Sequence, residues 1–341
     1  MSIRPLILTA LALVLASPAF ADDATVVLST YGLAQDQYRK DLYTPFEAQC
    51  GCKVVVDTGN SAARLAKLEA HKDNPDTDVA ALSDAAAAQA AKEGLIEPID
   101  VTALTNYAKI YPLAQDPVGG HFAVGYTFYS TSIVYRSDKV PGIASWAQLW
   151  SPALKGKIAL PDITTTQGVP VIYMANLTFG GSMPDMTVGI DKIAALKDSV
   201  ATFYPSSAVV TELFQQDEIW AAPVGRFDWL NLKKLSVPLA WATPKEGQSG
   251  GMNVLVLIKG AKHKANALKL IDTWLSTKVQ TAIAMDRVDS PANAEVKLPA
   301  DVADVLVYGS DSVKSLHLVP PAVVLANRAK WVAAWNAKVA R

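Results

Sequence analysis

Polar side chains follow the strands predicted in the first part of the chain, at positions where α/β proteins usually bind ligands. Tyr31 comes directly after the strand at 24–30, and its ring could form one wall of a binding cleft. Ser83 and Asp84 follow the strand at 78–82. The Asp84 carboxylate could hold the ammonium group of a ligand, or it could cap the helix that begins at the next residue. These residue types suit noncovalent recognition of a small polar molecule.

The second half of the chain repeats this placement of polar residues near the ends of predicted strands. Thr165 and Thr166 lie in the turn 164–167 before a long helix, where their hydroxyls could bind ligand oxygens or cap the helix. Tyr204 and Ser206 precede another helix, and the same two interpretations apply to them. Ligand binding and helix capping are both open for these four residues.

Arg226 is the most informative charged residue, because it follows a predicted strand end. A guanidinium offers a planar pair of donors to a carboxylate; the alternative is an ion pair with Asp228 or another surface acid. Asn253 lies in a glycine-rich segment, and its amide can accept a hydrogen bond from an ammonium but supplies no compensating charge. We therefore expect Arg226 at the acid end of a ligand, with Asp84 or Asp228 near any amine.

Known catalytic, nucleotide-binding and metal-binding motifs are missing from the sequence. It has no G-x-S-x-G elbow, Walker loop, G-x-G-x-x-G fingerprint or H-E-x-x-H pair. With 31 basic and 32 acidic residues, the chain has no electrostatic footprint for nucleic acid. We expect no enzymatic activity, no cofactor, no metal and no nucleic-acid partner. The histidines are scattered without the spacing of metal ligands: His71, His121, His263 and His317.

A β-α-β-α-β alternation opens the mature chain. Short β-branched strands at 24–30, 53–57 and 78–82 alternate with helices at 35–49 and 61–71. Such an alternation predicts a parallel sheet with helices on both of its faces. The carboxyl ends of these strands would carry Tyr31, Ser83 and Asp84 to one edge of that sheet.

Two apolar strands are predicted to connect two lobes. Aromatic and β-branched residues persist from 123 to 136, longer than the five or six residues of an ordinary strand. The glycine-rich segment 250–253 interrupts the pattern before an apolar strand at 254–258, where the chain returns to the first lobe. Trp331 and Trp335 stand on one face of a C-terminal helix at 322–339, and we expect them to pack in a core.

Cys50 and Cys52 are the two cysteines of the chain, and they flank Gly51. Two residues apart in a strand, their Cα atoms would lie near the roughly 7 Å limit for a disulfide. A bridge would be strained unless the chain turns at Gly51. The sequence leaves open a strained disulfide or two thiols at a strand entrance.

The N-terminus has the three parts of a secretory signal: Arg4, an apolar run at 6–15, and small residues before a cleavage site after Ala21. The apolar run is shorter than the roughly 20 residues of a membrane span. No cysteine directly follows the run to carry a lipid anchor, so we expect release into the periplasm. About 320 residues remain after cleavage, which favours two domains.

Several segments, taken in order, resemble the spermidine/putrescine branch of the bacterial extracellular solute-binding proteins over nearly all of the mature chain. The most specific single match is the run 152–162, preceded by Trp146 and by Leu149 and Trp150. The other matching segments are 30–32, 46–47, 51–54, 59–61, 64–68, 74–75, 78–79, 94–95 with Pro98, 244–247 and 267–272.

This resemblance implies an α/β fold of the two-lobed periplasmic-binding-protein type (type II), with a ligand cleft between lobes joined by hinge strands. We expect a signal peptide at 1–21, lobe 1 at 22–128 and 253–312, lobe 2 at 129–252, and a C-terminal helical segment at 313–341 packed on the lobes. The implied function is that of a periplasmic subunit of an ABC importer, a monomer that does not span the membrane. It would capture a small organic solute by hinge closure and deliver it to permease subunits in the inner membrane.

The ligand expected from the resemblance is a polyamine, a γ-amino acid or another amino-acid-like solute. Polyamine-binding relatives tend to have an aspartate at the position of Asn253 and an aromatic residue just before it. The neutral Asn253 therefore favours a smaller or less cationic solute. Thiamine, a phosphonate and ferric ion are alternative ligands, although ferric ion prefers clustered tyrosine or carboxylate oxygens and this chain has no adjacent tyrosines. A chemoreceptor-type ligand sensor is the alternative function.

Overall fold

The computed structural model describes residues 25–59 and 61–340, so the signal peptide predicted at 1–21 lies outside the described residues. Within them, all the strands belong to one mixed sheet. The strands are β1 (Thr25–Thr30), β2 (Lys53–Thr58), β3 (Val79–Ser83), β4 (Ile96–Glu97), β5 (Val124–Arg136), β6 (Ile158–Pro161), β7 (Val200–Tyr204), β8 (Ala221–Gly225), β9 (Leu239–Trp241), β10 (Gln248–Ile258), β11 (Ser290–Pro291) and β12 (Leu316–Leu318).

The main strand order is β2-β1-β3-β10-β5-β8-β6-β7. Strands β2, β1 and β3 are parallel to one another, as are β7, β6 and β8, and the two sets flank the antiparallel central pair of β10 and β5. The carboxyl ends of both sets therefore meet near the middle of the central pair. The predicted β-α-β-α-β alternation and its parallel sheet are confirmed.

The buried side chains form separate cores on the two sides of the central pair. One core contains β1, β2 and β3 together with Phe128 of β5 and Met252 of β10. The other side has two clusters around β6 and β8, which include Ile133 and Val134 of β5. Strand β5 contributes to the cores on both sides, and β10 pairs with β5, contributes Met252 to the first core and contacts α6 of the second lobe. These two strands therefore join the two lobes.

Helices cover both lobes and differ in length from single turns to five turns. They are α1 (Gln35–Tyr38), α2 (Thr44–Cys50), α3 (Ser61–Ala70), α4 (Asp84–Lys92), α5 (Pro112–Gln115), α6 (Gly168–Thr178), α7 (Thr187–Leu196), α8 (Ser207–Gln215), α9 (Arg226–Leu232), α10 (Lys264–Trp274), α11 (Thr277–Met285), α12 (Ala300–Ala303), α13 (Ser310–Lys314) and α14 (Pro321–Lys338). A π-helical turn, Arg39–Tyr43, joins α1 to α2. None of the helices within 25–59 and 61–340 has the length and hydropathy of a membrane span.

The predicted interruption before Val254 is wrong as a break of the strand, because β10 runs from Gln248 to Ile258 through the glycines. Its pairing with β5 does shift register between Asn253 and Val254. Neither Gly250 nor Gly251 has a positive φ, so the backbone conformation does not require glycine there. The neighbouring side chains, however, leave no room for a Cβ at either position. A Cβ on Gly250 would lie 2.9 Å from Leu316 Cδ2, and a Cβ on Gly251 would lie 2.3 Å from Tyr129 Cζ. Glycine therefore marks close packing within the strand, not its end.

Cys50 and Cys52 form a disulfide, with their Cα atoms 5.2 Å apart. The chain turns at Gly51, which ends α2 in the left-handed conformation with φ 67°. Glycine tolerates this conformation without a steric penalty. The turn that the sequence left open is thus what allows the bridge between residues so close in sequence.

The C-terminal helix α14 contacts α4 of the first lobe and α7 of the second. Trp331 and Trp335 are buried in a core of the second lobe, which confirms that these tryptophans pack. Because it contacts both lobes, α14 adds a third boundary to the space between them.

Candidate functional site

A cavity of about 210 Å³ lies between the two lobes. Its walls come from the carboxyl end of β3 and the start of α4 in one lobe, and from the turn after β6 in the other. The central strands and α14 close it. The lining residues are Ser83, Asp84, Ala85, Tyr129, Thr164, Thr165, Thr166, Val169, Pro170, Gly250, Gly251, Val319, Val324 and Arg328. We call this space the interlobe cavity.

Ser83 and Asp84 divide the two roles that the sequence left open. Ser83 is the N-cap of α4, and its Oγ accepts a hydrogen bond from the Ala86 backbone N–H at 3.2 Å. Asp84 is the first residue of the helix and only 9% exposed. Its Oδ1 accepts a hydrogen bond from the Ala85 N–H at 2.7 Å. Since Ser83 provides the cap, the Asp84 carboxylate can serve another purpose.

Burial raises the pKa of Asp84 to about 6, although nearby backbone N–H groups of Ala85 and Met252 favour the charged form. Within the described residues, Asp84 has no ion pair with a lysine, arginine or histidine. A buried carboxylate without a cation is costly unless something supplies the charge. The interlobe cavity is the space from which a ligand could supply it.

Tyr31 and Asn253 meet beside this cavity. The Tyr31 hydroxyl donates a hydrogen bond to Asn253 Oδ1 at 3.2 Å. Asn253 pairs in register with Ser83 on one side and with Thr127 on the other. The structure therefore brings Tyr31 and Ser83, which follow strands of one sheet, next to Asn253 of the hinge strand β10.

The turn after β6 forms the wall on the second lobe. Thr164 donates from its backbone and its hydroxyl to Asp162 Oδ1, at 2.9 Å and 2.5 Å. The Thr165 hydroxyl donates to the Asp162 carbonyl at 2.8 Å, and the Thr166 hydroxyl donates to Gln167 Oε1 at 3.1 Å. No side chain caps α6. The threonines thus stabilise their own turn, and their oxygens can still accept hydrogen bonds from a ligand.

Arg226 lines a second cavity of about 390 Å³, which shares no lining residue with the first. This space lies between the second lobe and the segment that contains α12 and α13. The expected placement of Arg226 and Asp84 around one ligand is therefore not what the geometry provides. The lining residues are Ser130, Arg226, Trp241, Thr243, Pro244, Gly247, Gln248, Ala303, Leu306, Val307, Tyr308, Asp311, Ser312 and Ser315.

The Arg226 guanidinium is occupied by protein groups. It donates to the Asp304 backbone carbonyl and lies 4.4 Å from the centre of the Trp241 ring. Burial lowers the pKa of Arg226 to about 10, and Asp304 partly opposes this effect. Buried polar atoms of Arg226, Trp241 and Ser130 lack hydrogen-bond partners among the described residues. This region is polar and incompletely satisfied, but its guanidinium already has a packing role.

Five predicted site residues line neither cavity: Tyr31 and Asn253, which lie beside the first one, and Tyr204, Ser206 and Asp228. Tyr204 is the last residue of β7, is 1% exposed, and donates to the Pro223 carbonyl at 2.5 Å. It is a packing residue of the second lobe. Ser206 is exposed before α8, and Asp228 lies in the first turn of α9, near enough to Tyr204 to raise its pKa. Sequence position after a strand is not enough to bring these residues to the ligand space.

Tyr129 and Arg328 line the interlobe cavity, but no motif or position in the sequence marks them as ligand-binding residues. Tyr129 lies inside the long apolar strand β5, where an aromatic residue normally indicates packing. Burial and the nearby Asp84 and Tyr31 raise the pKa of Tyr129 far above its ordinary value. Its hydroxyl therefore stays protonated at neutral pH. Arg328 reaches the cavity from α14, and only the fold could place it there.

Within residues 25–59 and 61–340, no group of three or more histidine, cysteine, aspartate or glutamate side chains is placed to hold a metal ion.

The sequence is similar to a known protein family and to several characterised proteins. Residues 41–306 match the family model described as bacterial extracellular solute-binding protein. The spermidine/putrescine-binding periplasmic protein of Escherichia coli (strain K12) is 28% identical over 252 residues, which cover 71% of each chain. Spermidine/putrescine-binding periplasmic protein 1 of Haemophilus influenzae is 26% identical and covers 88% of this chain and 84% of its own.

Among solved structures, an ABC transporter protein from Clostridium perfringens is similar with a TM-score of 0.87 and 29% identity. The similarity covers 92% of this chain and 99% of that chain. The fold is therefore shared along the whole length of that protein.

Proposed function

The chain belongs to the family of bacterial extracellular solute-binding proteins, and from this premise we propose that it is the solute-capturing subunit of an ABC importer. It holds a small organic solute in the interlobe cavity, closes its lobes over it, and delivers it to permease subunits in the inner membrane. It performs no chemistry on the solute. The names of its polyamine-binding relatives support a ligand that carries an ammonium group.

We also propose the domain arrangement that such closure needs. Strands β5 and β10 are the hinge, with lobe 1 at 22–128 and 253–312 and lobe 2 at 129–252. The segment 313–341 packs on both lobes, and residues 1–21 direct export to the periplasm, where the protein acts as a monomer. Hinge strands that run from one lobe into the other can bend while each lobe moves as a unit.

The single observation that carries the proposed ligand class is Asp84. Its carboxylate is buried at the cavity wall and has no cation among the described residues. A ligand ammonium would supply the missing charge and would make charge-assisted hydrogen bonds. Hydroxyls of Thr165 and Thr166 would accept further hydrogen bonds. Arg328 lines the same cavity, so an amino-acid-like solute, with an amine and a carboxylate, fits better than a polyamine.

A thermal-shift screen tests this class. The mature protein is stripped of ligand by unfolding and refolding, then heated with ω-amino acids, α-amino acids, diamines, spermidine, thiamine, phosphonates or ferric salts. A ligand that binds only the folded state raises the melting temperature. We expect shifts with short amino acids that carry a free ammonium. Shifts confined to thiamine, phosphonates or ferric ion would overturn the proposed class.

Two arginines distinguish the two cavities. We expect Arg328→Ala to weaken binding of an ω-amino acid about fivefold, because an ion pair at a partly exposed site contributes on the order of 1 kcal/mol. Arg226→Ala should change this affinity less than about threefold in the folded protein. Lys330→Ala, which removes an exposed cation from the same helix, is the matched control. Calorimetric titration gives the affinities; loss of binding in Arg226→Ala alone would move the ligand to the second cavity.

The neutral hinge side chain gives a further prediction. Asn253→Asp adds a carboxylate beside Tyr31. We expect it to increase affinity for the diamine putrescine at least about tenfold, because the new carboxylate can pair with the second ammonium group, whose charge the neutral Asn253 does not compensate. Asn231→Asp makes the same change on an exposed face of α9 and should leave the affinity unchanged. Equal putrescine affinity in Asn253→Asp and in the unmodified protein would contradict the role given to this position.

A further inference from the structure

Tyr129 and Gly251 face each other on the central strands, in register as a β5–β10 pair. A Cβ on Gly251 would lie 2.3 Å from Tyr129 Cζ, 2.3 Å from its Oη and 2.5 Å from its Cε2. Separations under 3.0 Å do not occur for real Cβ atoms, so no other residue fits at 251 with the ring in this place. The tyrosine ring therefore lies over bare backbone and occupies the volume of a missing side chain.

The ring is also part of the ligand space. Tyr129 lines the interlobe cavity together with Asp84, and both Asp84 and Tyr31 lie near enough to influence its hydroxyl. No hydrogen bond among the described residues uses the Tyr129 hydroxyl. A protonated phenol beside a carboxylate, in a cavity between two lobes, is placed to meet a ligand.

We propose that Tyr129 is a specificity-determining residue, whose ring limits the length of the solute bound at Asp84 and whose hydroxyl hydrogen-bonds to that solute. The proposal rests on the proposed function of the interlobe cavity. Gly251 is the positioning residue, because the ring can lie in this place only when residue 251 has no side chain. A cavity of about 210 Å³ with this floor suits a short ω-amino acid. The face of the ring can also attract the ligand ammonium.

The test is a ladder of ω-amino acids with two to six carbons, titrated calorimetrically at pH 7.5. Tyr129→Phe keeps the ring, so we expect the preferred length to stay the same while affinity falls about fivefold to tenfold with the lost hydrogen bond. Tyr129→Ala opens the floor, so the preferred length should increase by one or two carbons. A folded Tyr129→Ala protein with the same length preference as the unmodified protein would overturn the proposal.

A double-mutant cycle keeps the test informative if one variant is unstable. Gly251→Ala should displace the ring and weaken binding of the preferred amino acid at least about tenfold. In the Tyr129→Ala background the same Gly251→Ala change should cost less than about twofold, because the clash is gone. Additive effects of the two substitutions would contradict the positioning role of Gly251.

Failure of the proposed ligand class and failure of the Tyr129 proposal give different results. If the unmodified protein binds no amine in the ladder or in the diamine series, the proposed ligand class fails before Tyr129 is considered. If it binds an amine and Asp84→Asn abolishes the binding, the class stands. Unchanged selectivity in Tyr129→Ala then refutes the Tyr129 proposal alone.

Discussion

Asp84→Asn is expected to weaken binding of an ammonium-bearing ligand about 100-fold at pH 7.5 and, at the same time, to raise the melting temperature of the empty protein. The amide keeps the size of the side chain and one acceptor oxygen for the Ala85 N–H. It removes the charge that would pair with the ligand. Loss of one partner of a buried charge pair costs about 2–5 kcal/mol of binding free energy. A 100-fold loss of affinity corresponds to about 2.7 kcal/mol, which lies within that range.

The opposite effect on stability follows from the raised pKa. Asp84 titrates at about 6 in the folded protein against an ordinary value of 3.8, so folding disfavours its charged form. The free energy of unfolding therefore falls as the pH rises from about 4 to about 6, and this penalty persists above pH 6. Asparagine has no charge to bury. The variant should gain about 1–3 kcal/mol at pH 7.5 and little at pH 4.

The same carboxylate makes ligand binding depend on pH. Below about pH 6, Asp84 of the free protein becomes protonated while the ligand ammonium stays charged. Affinity should then fall toward tenfold for each further pH unit, whereas Asp84→Asn should show no such fall. Calorimetric titrations between pH 7.5 and pH 4.5 measure both proteins. Asp228→Asn, in the first turn of α9, is the control and should bind like the unmodified protein; the reverse result would assign the amine to Asp228.

Arg64→Ala is expected to reduce the free energy of unfolding by about 3 kcal/mol or more, the largest stability effect we anticipate for a polar residue. Arg64 is 2% exposed, and its Nε donates to the Gly59 carbonyl at 2.9 Å. Its Nη1 donates to the carbonyls of Ser29 in β1 and Ala81 in β3. The guanidinium lies 4.1 Å from the Tyr31 ring centre. Without it, the carbonyls of Gly59, Ser29 and Ala81 lose a donor, and Tyr31 loses its support.

Urea unfolding followed by tryptophan fluorescence measures this effect. Arg64→Lys keeps the charge and part of the donor set, so it should have intermediate stability. Arg39→Ala removes an exposed arginine that pairs with Glu47 and should change the free energy of unfolding by less than about 1 kcal/mol. Similar stability of Arg64→Ala and Arg39→Ala would show that Arg64 does not organise this edge of the sheet.

The positions of Ser83, Asp84 and Thr165 could be predicted from sequence because they depend on local order. A short β-branched strand followed by a polar residue and a helix places that residue at the carboxyl end of the strand. Parallel strands then bring such ends to one edge. The same reasoning failed for Tyr204, since the sequence does not tell the last inward-facing residue of β7 from the first residue of the loop.

Residues that depend on pairing between distant strands could not be predicted. Tyr129 has the appearance of a packing residue until its register with Gly251 is known. Gly251 likewise suggested a break in the strand, because a glycine required by space and one required by conformation are identical in sequence. Arg226 was predicted correctly to follow a strand, but the packing of Trp241 and Asp304 decides where its guanidinium points.

The most direct test of the central claim is a parallel calorimetric titration of the refolded protein and of Asp84→Asn with one ω-amino acid and with its N-acetyl derivative. We expect the free amine to bind the unmodified protein, the acetylated form to bind at least about 100-fold more weakly, and Asp84→Asn to discriminate little between them. Equal binding of both compounds to the unmodified protein, or unchanged binding of the amine to Asp84→Asn, would contradict an ammonium site at Asp84.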